Sequence, residues 1–212
     1  MHKLNRPNAP ACLNNYQHGT NNWSDLTHAD RNEIWHQLDA MQVRRCAYCE
    51  DALQDTSRHI EHFEQRSRSP QLTFAWCNLF GSCNRENSCG KYKDNQQYNP
   101  SDIIKPDADD PDDYLRFLSD GRIVPRDSLS PEALNKAKET LRVFNLDHDR
   151  GPLRFMRKSQ VAGYIQTAEE FGQIAETFPE AEWRPLLNEE LHNVAHLPFA
   201  TAIRHVLTEF LP

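Results

Sequence analysis

The sequence predicts an α+β fold in which a small, cysteine-rich β module is followed by a hairpin and C-terminal helices. Three observations carry this. Five of the six cysteines fall within 44 residues of a 212-residue chain. Alternating apolar residues flank Asp120-Gly121 in YLRFLSDGRIVPR, a strong hairpin signal. From Ser130 onward the apolar residues recur at helical spacing instead.

The elements follow in chain order. Residues 1–26 are rich in Asn and Pro and have no periodicity, so they read as an extended arm pinned by Trp23. Thr27-His28-Ala29-Asp30 is an N-terminal cap for a helix whose apolar residues Ile34, Trp35, Leu38 and Met41 share one face. Residues 44–98 hold five of the six cysteines and a histidine cluster. The run 107–113, DADDPDD, reads as a solvated loop rather than a metal site or a charge mimic. The hairpin spans 114–126, and a helix starts at Ser130-Pro131-Glu132 with Pro at its first position. A further helix is expected over 153–177, and a last amphipathic pair over about 180–191 and 198–210. No internal repeat is visible. The chain thus divides into an arm and helix (1–43), a compact module (44–98), and a linker, hairpin and helical region (99–212).

Composition narrows the function. Hydrophobic residues make up 38% and charged residues 26%, which suits a modest core that needs reinforcement. No apolar run of 18 residues is present, and the N-terminus lacks the apolar stretch of a signal peptide, so a cytoplasmic protein without a membrane partner is expected. The net charge of −7 argues against a protein that grips nucleic acid unaided. Residues 44–93 nevertheless carry +2, leaving −9 on the rest, so any nucleic-acid contact belongs to that stretch.

In a reducing compartment, clustered cysteines read as metal ligands. Cys46-x-x-Cys49 lets two thiolates converge from a tight turn, and Cys83 and Cys89 follow after a long insertion. Together they match a structural four-cysteine zinc site, with buried thiols the plainer reading of the second, wider pair. Cys77, in the apolar run FAWCNLF, reads as core rather than ligand, and Cys12 carries no inference.

Between the cysteine pairs, His59, Glu61 and His62 cluster in SRHIEHFEQ. On a strand, His59 and Glu61 share one face and His62 points to the other. A general base beside a metal-binding carboxylate is what phosphodiester hydrolysis requires: the base takes a proton from water, and a hard cation, Mg²⁺ or Mn²⁺, neutralises the charge that develops on phosphorus and the leaving oxygen. Arg58, Lys91 and Lys93 lie close by as phosphate-binding candidates, with Arg66 and Arg68 beside them.

The order Cys-x-x-Cys, Glu-His-Phe, Asn-Leu-Phe and a second cysteine pair ending Cys-Gly-x-x-Lys resembles the HNH endonucleases of ββα-metal fold. The resemblance implies His62 as the base, Glu61 as the catalytic metal ligand, Asn78 as the middle Asn that steadies the loop and the base, and Lys93 as the lysine that ends the motif. The chain departs from the pattern at Gly90, where the family carries a final Asn or His; Asn84, Asn87, Asp94 or His59 could stand in. A narrower resemblance, through RCAYCED, HIEHF, WCNLFGSC, CGKYKD and the later LRVFNLDHD, is to the HNH proteins of the PtuB type that accompany retrons and Septu anti-phage systems. It covers most of residues 40–160 and implies a DNA endonuclease acting with an ABC-type ATPase of the PtuA kind. The chain has no nucleotide-binding G-x-x-x-x-G-K-[ST] motif, so ATP would bind the partner. A second reading, from a different class, is a zinc-bound adaptor of the same complex whose catalytic site has decayed; RNA cleavage is a third. The apolar faces with Trp183, Leu186, Leu187, Leu191, Phe199, Ile203, Val206, Leu207 and Phe210 divide between a helical core and a docking surface for the ATPase.

Overall fold

A computed structural model describes residues 1–211; Pro212, the last residue of the 99–212 region, lies outside them. The fold is α+β, with two small antiparallel sheets among seven α-helices in the described residues. Helix α1 (His28–Gln42) starts on the expected cap. Thr27 Oγ1 accepts from the Asp30 N–H, Asp30 accepts from the Thr27 N–H, and Val43 ends the helix in the left-handed region. Strands β1 (Arg58–His62) and β2 (Leu79–Cys83) pair in the register Arg58↔Cys83 to His62↔Leu79, and the short helix α2 (Cys89–Lys93) packs against them. Strands β3 (Leu115–Phe117) and β4 (Ile123–Pro125) form the hairpin, with Gly121 taking the positive φ of 86° that the turn needs. Helix α3 (Pro131–Phe144) is capped by Ser130, whose hydroxyl accepts from the Ala133 N–H. The helix expected over 153–177 is two, α4 (Pro152–Val161) and α5 (Ile165–Thr177), broken by a 3₁₀ turn at Ala162–Tyr164 that contains Gly163. Helices α6 (Glu180–Val194) and α7 (Ala200–Leu207) complete the chain. Among the described residues, no helix is long and apolar enough to cross a membrane.

Three local expectations are corrected. The N-terminal segment is not an arm held at Trp23 alone. Met1, Leu4, Cys12 and Leu13 are buried, and the Arg6 guanidinium donates to the Trp76 and Leu79 carbonyls while lying over the rings of Trp76 and Phe80. The acidic run is not simply solvated. Asp107 pairs with Arg6 at 2.6 Å, Asp109 with Lys136 at 2.8 Å, and Asp112 with Arg204 and His205, so its carboxylates fasten the linker to three other segments. Cys77 is exposed, because Trp76–Asn78 form a 3₁₀ turn and the strand starts only at Leu79.

The buried side chains of both halves form one connected core. Tyr48, beside Cys49, stacks on Phe144 of α3 with ring centroids 4.1 Å apart. Buried Glu50 accepts from the Thr201 N–H at the start of α7 and pairs with the N-terminal amine. Of the apolar residues on the last two helices, Trp183, Leu187, Phe199, Ile203, Val206 and Leu207 are buried, whereas Leu186 and Phe210 remain about half exposed.

His205 gives this core a pH dependence. It is buried under β3; its Nδ1 accepts from the Phe117 N–H at 3.0 Å, and its Nε2 bonds Asp112 at 3.1 Å. Burial lowers its pKa below the ordinary value of 6.5, outweighing the pull of Asp112. The unfolded chain therefore binds the extra proton more readily, so this contribution is intact above about pH 6.5 and is lost as the pH falls below it. Urea midpoints are expected to drop between pH 7.5 and 5 by more in the wild type than in His205→Gln; equal drops would remove His205 from the account.

Candidate metal centre and catalytic cleft

Cys46, Cys49, Cys83 and Cys89 are all buried, and their sulfur atoms lie within 4.8 Å of one another. Sulfurs of a tetrahedral zinc–thiolate site sit about 3.8 Å apart for Zn–S bonds of about 2.3 Å, and Cys49 and Cys83 are already at 4.0 Å. The two pairs converge because β2 runs back beside the first turn: Ala47 N–H donates to the Gly81 carbonyl at 3.0 Å, and Cys83 ends that strand. Cys89 reaches the cluster in the left-handed region at φ 58°, an unusual conformation for a side-chain-bearing residue. The charges also call for a cation. Burial works against ionising Cys46, but the neighbouring thiols outweigh it and hold its pKa well down. Cys49 is pushed up by its bonds to Cys46 and Cys83, and Cys89 by burial and the same neighbours. Without a metal, only part of the cluster can carry charge. Four buried thiols on two converging loops can hold a metal such as zinc.

Beside this centre opens a cleft of about 680 Å³, walled by His59, Glu61 and His62 with Arg58, Arg66, Asn84, Lys91 and Asp94. His59 and Glu61 share one face of β1, and His59 Nε2 lies 2.9 Å from Glu61 Oε2. His62, expected on the opposite face, lines the same cleft, because it is the last residue of the strand and the chain bends directly after it. His62 Nε2 donates to the Thr73 carbonyl at 2.9 Å, which leaves Nδ1 with the lone pair. Burial lowers the His62 pKa to about 4, against the Thr73 hydrogen bond, so the ring is neutral at pH 7. Asn78 is buried and bridges the loop that carries Thr73: its Oδ1 accepts from the Glu64 N–H at 2.8 Å, and its Nδ2 donates to the Glu64 and Leu72 carbonyls.

Glu61 is buried, and burial alone would raise its pKa; His59 and Lys93 outweigh this and keep it ionised. Lys93 was expected among the phosphate contacts. Its side chain is completely buried instead, with Nζ 2.8 Å from Glu61 Oε1 and hydrogen bonds to the His62 carbonyl and Asp94. It holds Glu61 from behind and leaves Oε2 toward His59. Of the other basic candidates, Arg58 lies at the cleft edge but is paired at 2.6 Å with both Asp39 and Asp55, while Lys91 is partly exposed and 3.7 Å from Glu86. Gly90 explains its own identity: a methyl group there would overlap the Glu61 carboxylate. Trp23, read only as an anchor, packs its ring edge-on to His62 with centroids 4.5 Å apart. Neither Trp23 nor Thr73 could be placed from sequence, since each meets His62 through tertiary packing.

No known protein-family profile matches the chain. It is, however, 29% identical over 190 residues to Septu protein PtuB of Bacillus thuringiensis. The chain resembles a Septu protein. The match takes in 84% of this chain and 66% of PtuB, so the chain spans just under two thirds of that relative's length.

Proposed function

We propose that the chain is a metal-dependent DNA endonuclease of a Septu-type anti-phage system, with residues 44–98 as its HNH nuclease module and a PtuA-like ATPase as its partner. The observation that supports this reading most is the cleft itself: a neutral, oriented imidazole and an ionised, buried carboxylate side by side on one strand, next to a four-thiol metal centre. The similarity to PtuB supplies the defence context.

The donor set fits a hard cation. Glu61 Oε2 and His59 Nε2 are 2.9 Å apart, close to the separation of neighbouring ligands about 2.0–2.1 Å from an octahedral Mg²⁺; Asn84 Oδ1 bonds the other ring nitrogen of His59 at 2.8 Å and orients it, and Asp94 offers an oxygen in the same cleft. Glu61 and His59 would hold the cation, Mg²⁺ or Mn²⁺, which when bound supplies Lewis-acid stabilisation of the phosphoryl charge. The remaining chemistry belongs to the side chains. His62 accepts a proton from water at Nδ1 while Thr73 fixes the ring from Nε2. Asn78 holds the loop that carries Thr73, and Trp23 closes one side of the imidazole. Arg66 and Lys91 lie at the cleft for the flanking phosphates.

One observation favours the second reading, an adaptor with a decayed site: Gly90 brings no ligand, and the space it leaves is filled by Glu61. The two readings separate in a plasmid assay with Mg²⁺ or Mn²⁺, run with and without the co-purified ATPase. The nuclease reading expects cleavage with the partner and little without it, given the acidic surface outside residues 44–93. No cleavage under any of these conditions would leave the adaptor. Truncation from residue 180 is a poor probe of docking, because α7 is part of the core; the exposed Leu186 and Phe178 are the positions to change.

A further inference from the structure

A second cavity, of about 140 Å³, opens beside the loop that links the cysteines of the second pair, and no part of the catalytic reading uses it. Asn87, Ser88, Asn145, His148, Arg150 and the start of α4 line it. Three features of its wall are donors. Helix α4 begins at Gly151 and Pro152 with no side chain capping it, so the Leu153 and Arg154 N–H groups and the positive end of the helix dipole are open to a ligand. Ser88 is only 2% exposed, yet its hydroxyl has no hydrogen-bond partner, an arrangement that buried polar groups rarely tolerate. Arg150 is exposed, and among the described residues none pairs with its guanidinium. His148 Nδ1 accepts from the Arg150 N–H at 3.2 Å, so its Nε2 carries a proton as a further donor. No carboxylate lines the cavity.

We infer that this cavity binds one phosphate group, held by Ser88, Arg150 and the N-terminus of α4, and that the phosphate comes from a nucleic-acid backbone. An uncapped helix start, a stranded buried hydroxyl and an unpaired guanidinium share one chemical complement, a small tetrahedral oxyanion. The volume falls well below the roughly 300 Å³ at which drug-sized ligands begin, so a nucleoside does not fit inside. The position selects the source. Asn84 lines the catalytic cleft and Ser88 lines this cavity, and four residues of chain reach at most about 14 Å. At a rise of about 3.4 Å per nucleotide, that is within about four nucleotides along one strand. Asn84 meets His59 at 2.8 Å, and His59 lies three strand residues, about 10 Å, before His62, so a strand whose scissile phosphate lies at His62 can place a phosphate several nucleotides further along here. This source rests on the nuclease reading; the phosphate site does not.

The test uses the full zinc-loaded chain without added divalent cation. The Leu153 and Arg154 amide resonances are followed during titration with inorganic phosphate, with chloride at equal ionic strength, and with a short single-stranded oligonucleotide. Phosphate and oligonucleotide are expected to shift both amides, and chloride is not. Arg150→Glu is expected to weaken oligonucleotide binding about tenfold and to lower the salt-dependence slope by about one, whereas Arg184→Glu, a partly exposed control on α6, leaves both nearly unchanged. Ser88→Ala should weaken the phosphate response without moving the salt slope. Silence of both amides toward phosphate and oligonucleotide overturns the site. A response to phosphate alone keeps the site and overturns the nucleic-acid source. Responsive amides in a protein that never cleaves would count against the nuclease reading only, and cleavage with silent amides against the subsite only.

Discussion

Cys46→Ser is expected to abolish bound metal and, with it, the cooperative fold. Cys46 is fully buried at the centre of the four-thiol cluster, and the other three thiols cannot all ionise around a missing cation. Structural zinc contributes roughly 10–16 kcal/mol in zinc-finger peptides, as large as the whole stability of an ordinary domain, about 5–15 kcal/mol. The loss would not stay local. Tyr48 lies between two ligands and stacks on Phe144, and Glu50, next to Cys49, holds the start of α7. Elemental analysis should find one zinc per wild-type chain and none in the variant, whose thermal transition is expected to be lost or broadened. A variant that melts like the wild type would remove zinc from the folding account.

His62→Ala is expected to reduce cleavage by about 10²- to 10⁴-fold, the usual contribution of a general base, while the protein stays folded and keeps its zinc. The ring touches Trp23 and the Thr73 carbonyl, so its removal opens a small space at the cleft wall rather than in the main core. His59→Ala is expected to cost less, because Glu61 remains held by Lys93. The two variants are read from single-turnover rates at saturating metal. If His59→Ala is dead and His62→Ala active, the base sits three residues earlier in the chain than proposed.

What the sequence could and could not disclose follows from the range of each interaction. The Thr27–Asp30 cap, the Asp120-Gly121 turn and the Cys46/Cys49 pair are set by neighbours within a few residues, and each is legible in the chain. Cys83 and Cys89 were harder to type, because a six-residue step between ligands has no short-range rule; only the run of β2 into α2 brings them together. Contacts between distant segments left no signal. Trp23 on His62, Arg6 across Trp76 and Phe80, and the acidic run tied to Lys136 and Arg204 join residues that no local pattern links. Lys93 shows the same limit at the site. A lysine that ends the motif reads as a phosphate contact, and only the fold shows it buried and paired with Glu61. Gly90 is the converse case: the sequence shows only that the family's final ligand is missing there, and the fold adds that a methyl group at this position would overlap the Glu61 carboxylate.

Metal-dependent phosphodiester hydrolysis at Glu61 and His62 is tested most directly by restoring divalent cation to a chelated sample. The chain is co-purified with the proposed ATPase partner, freed of loosely bound metal, and given plasmid DNA with increasing Mn²⁺ or Mg²⁺. Cleavage should be absent at the start, return with the added cation in the wild type, and fail to return in Glu61→Gln, with zinc unchanged at one per chain in both proteins. Cleavage by Glu61→Gln at the wild-type rate, or wild-type cleavage that persists without added cation, would contradict it.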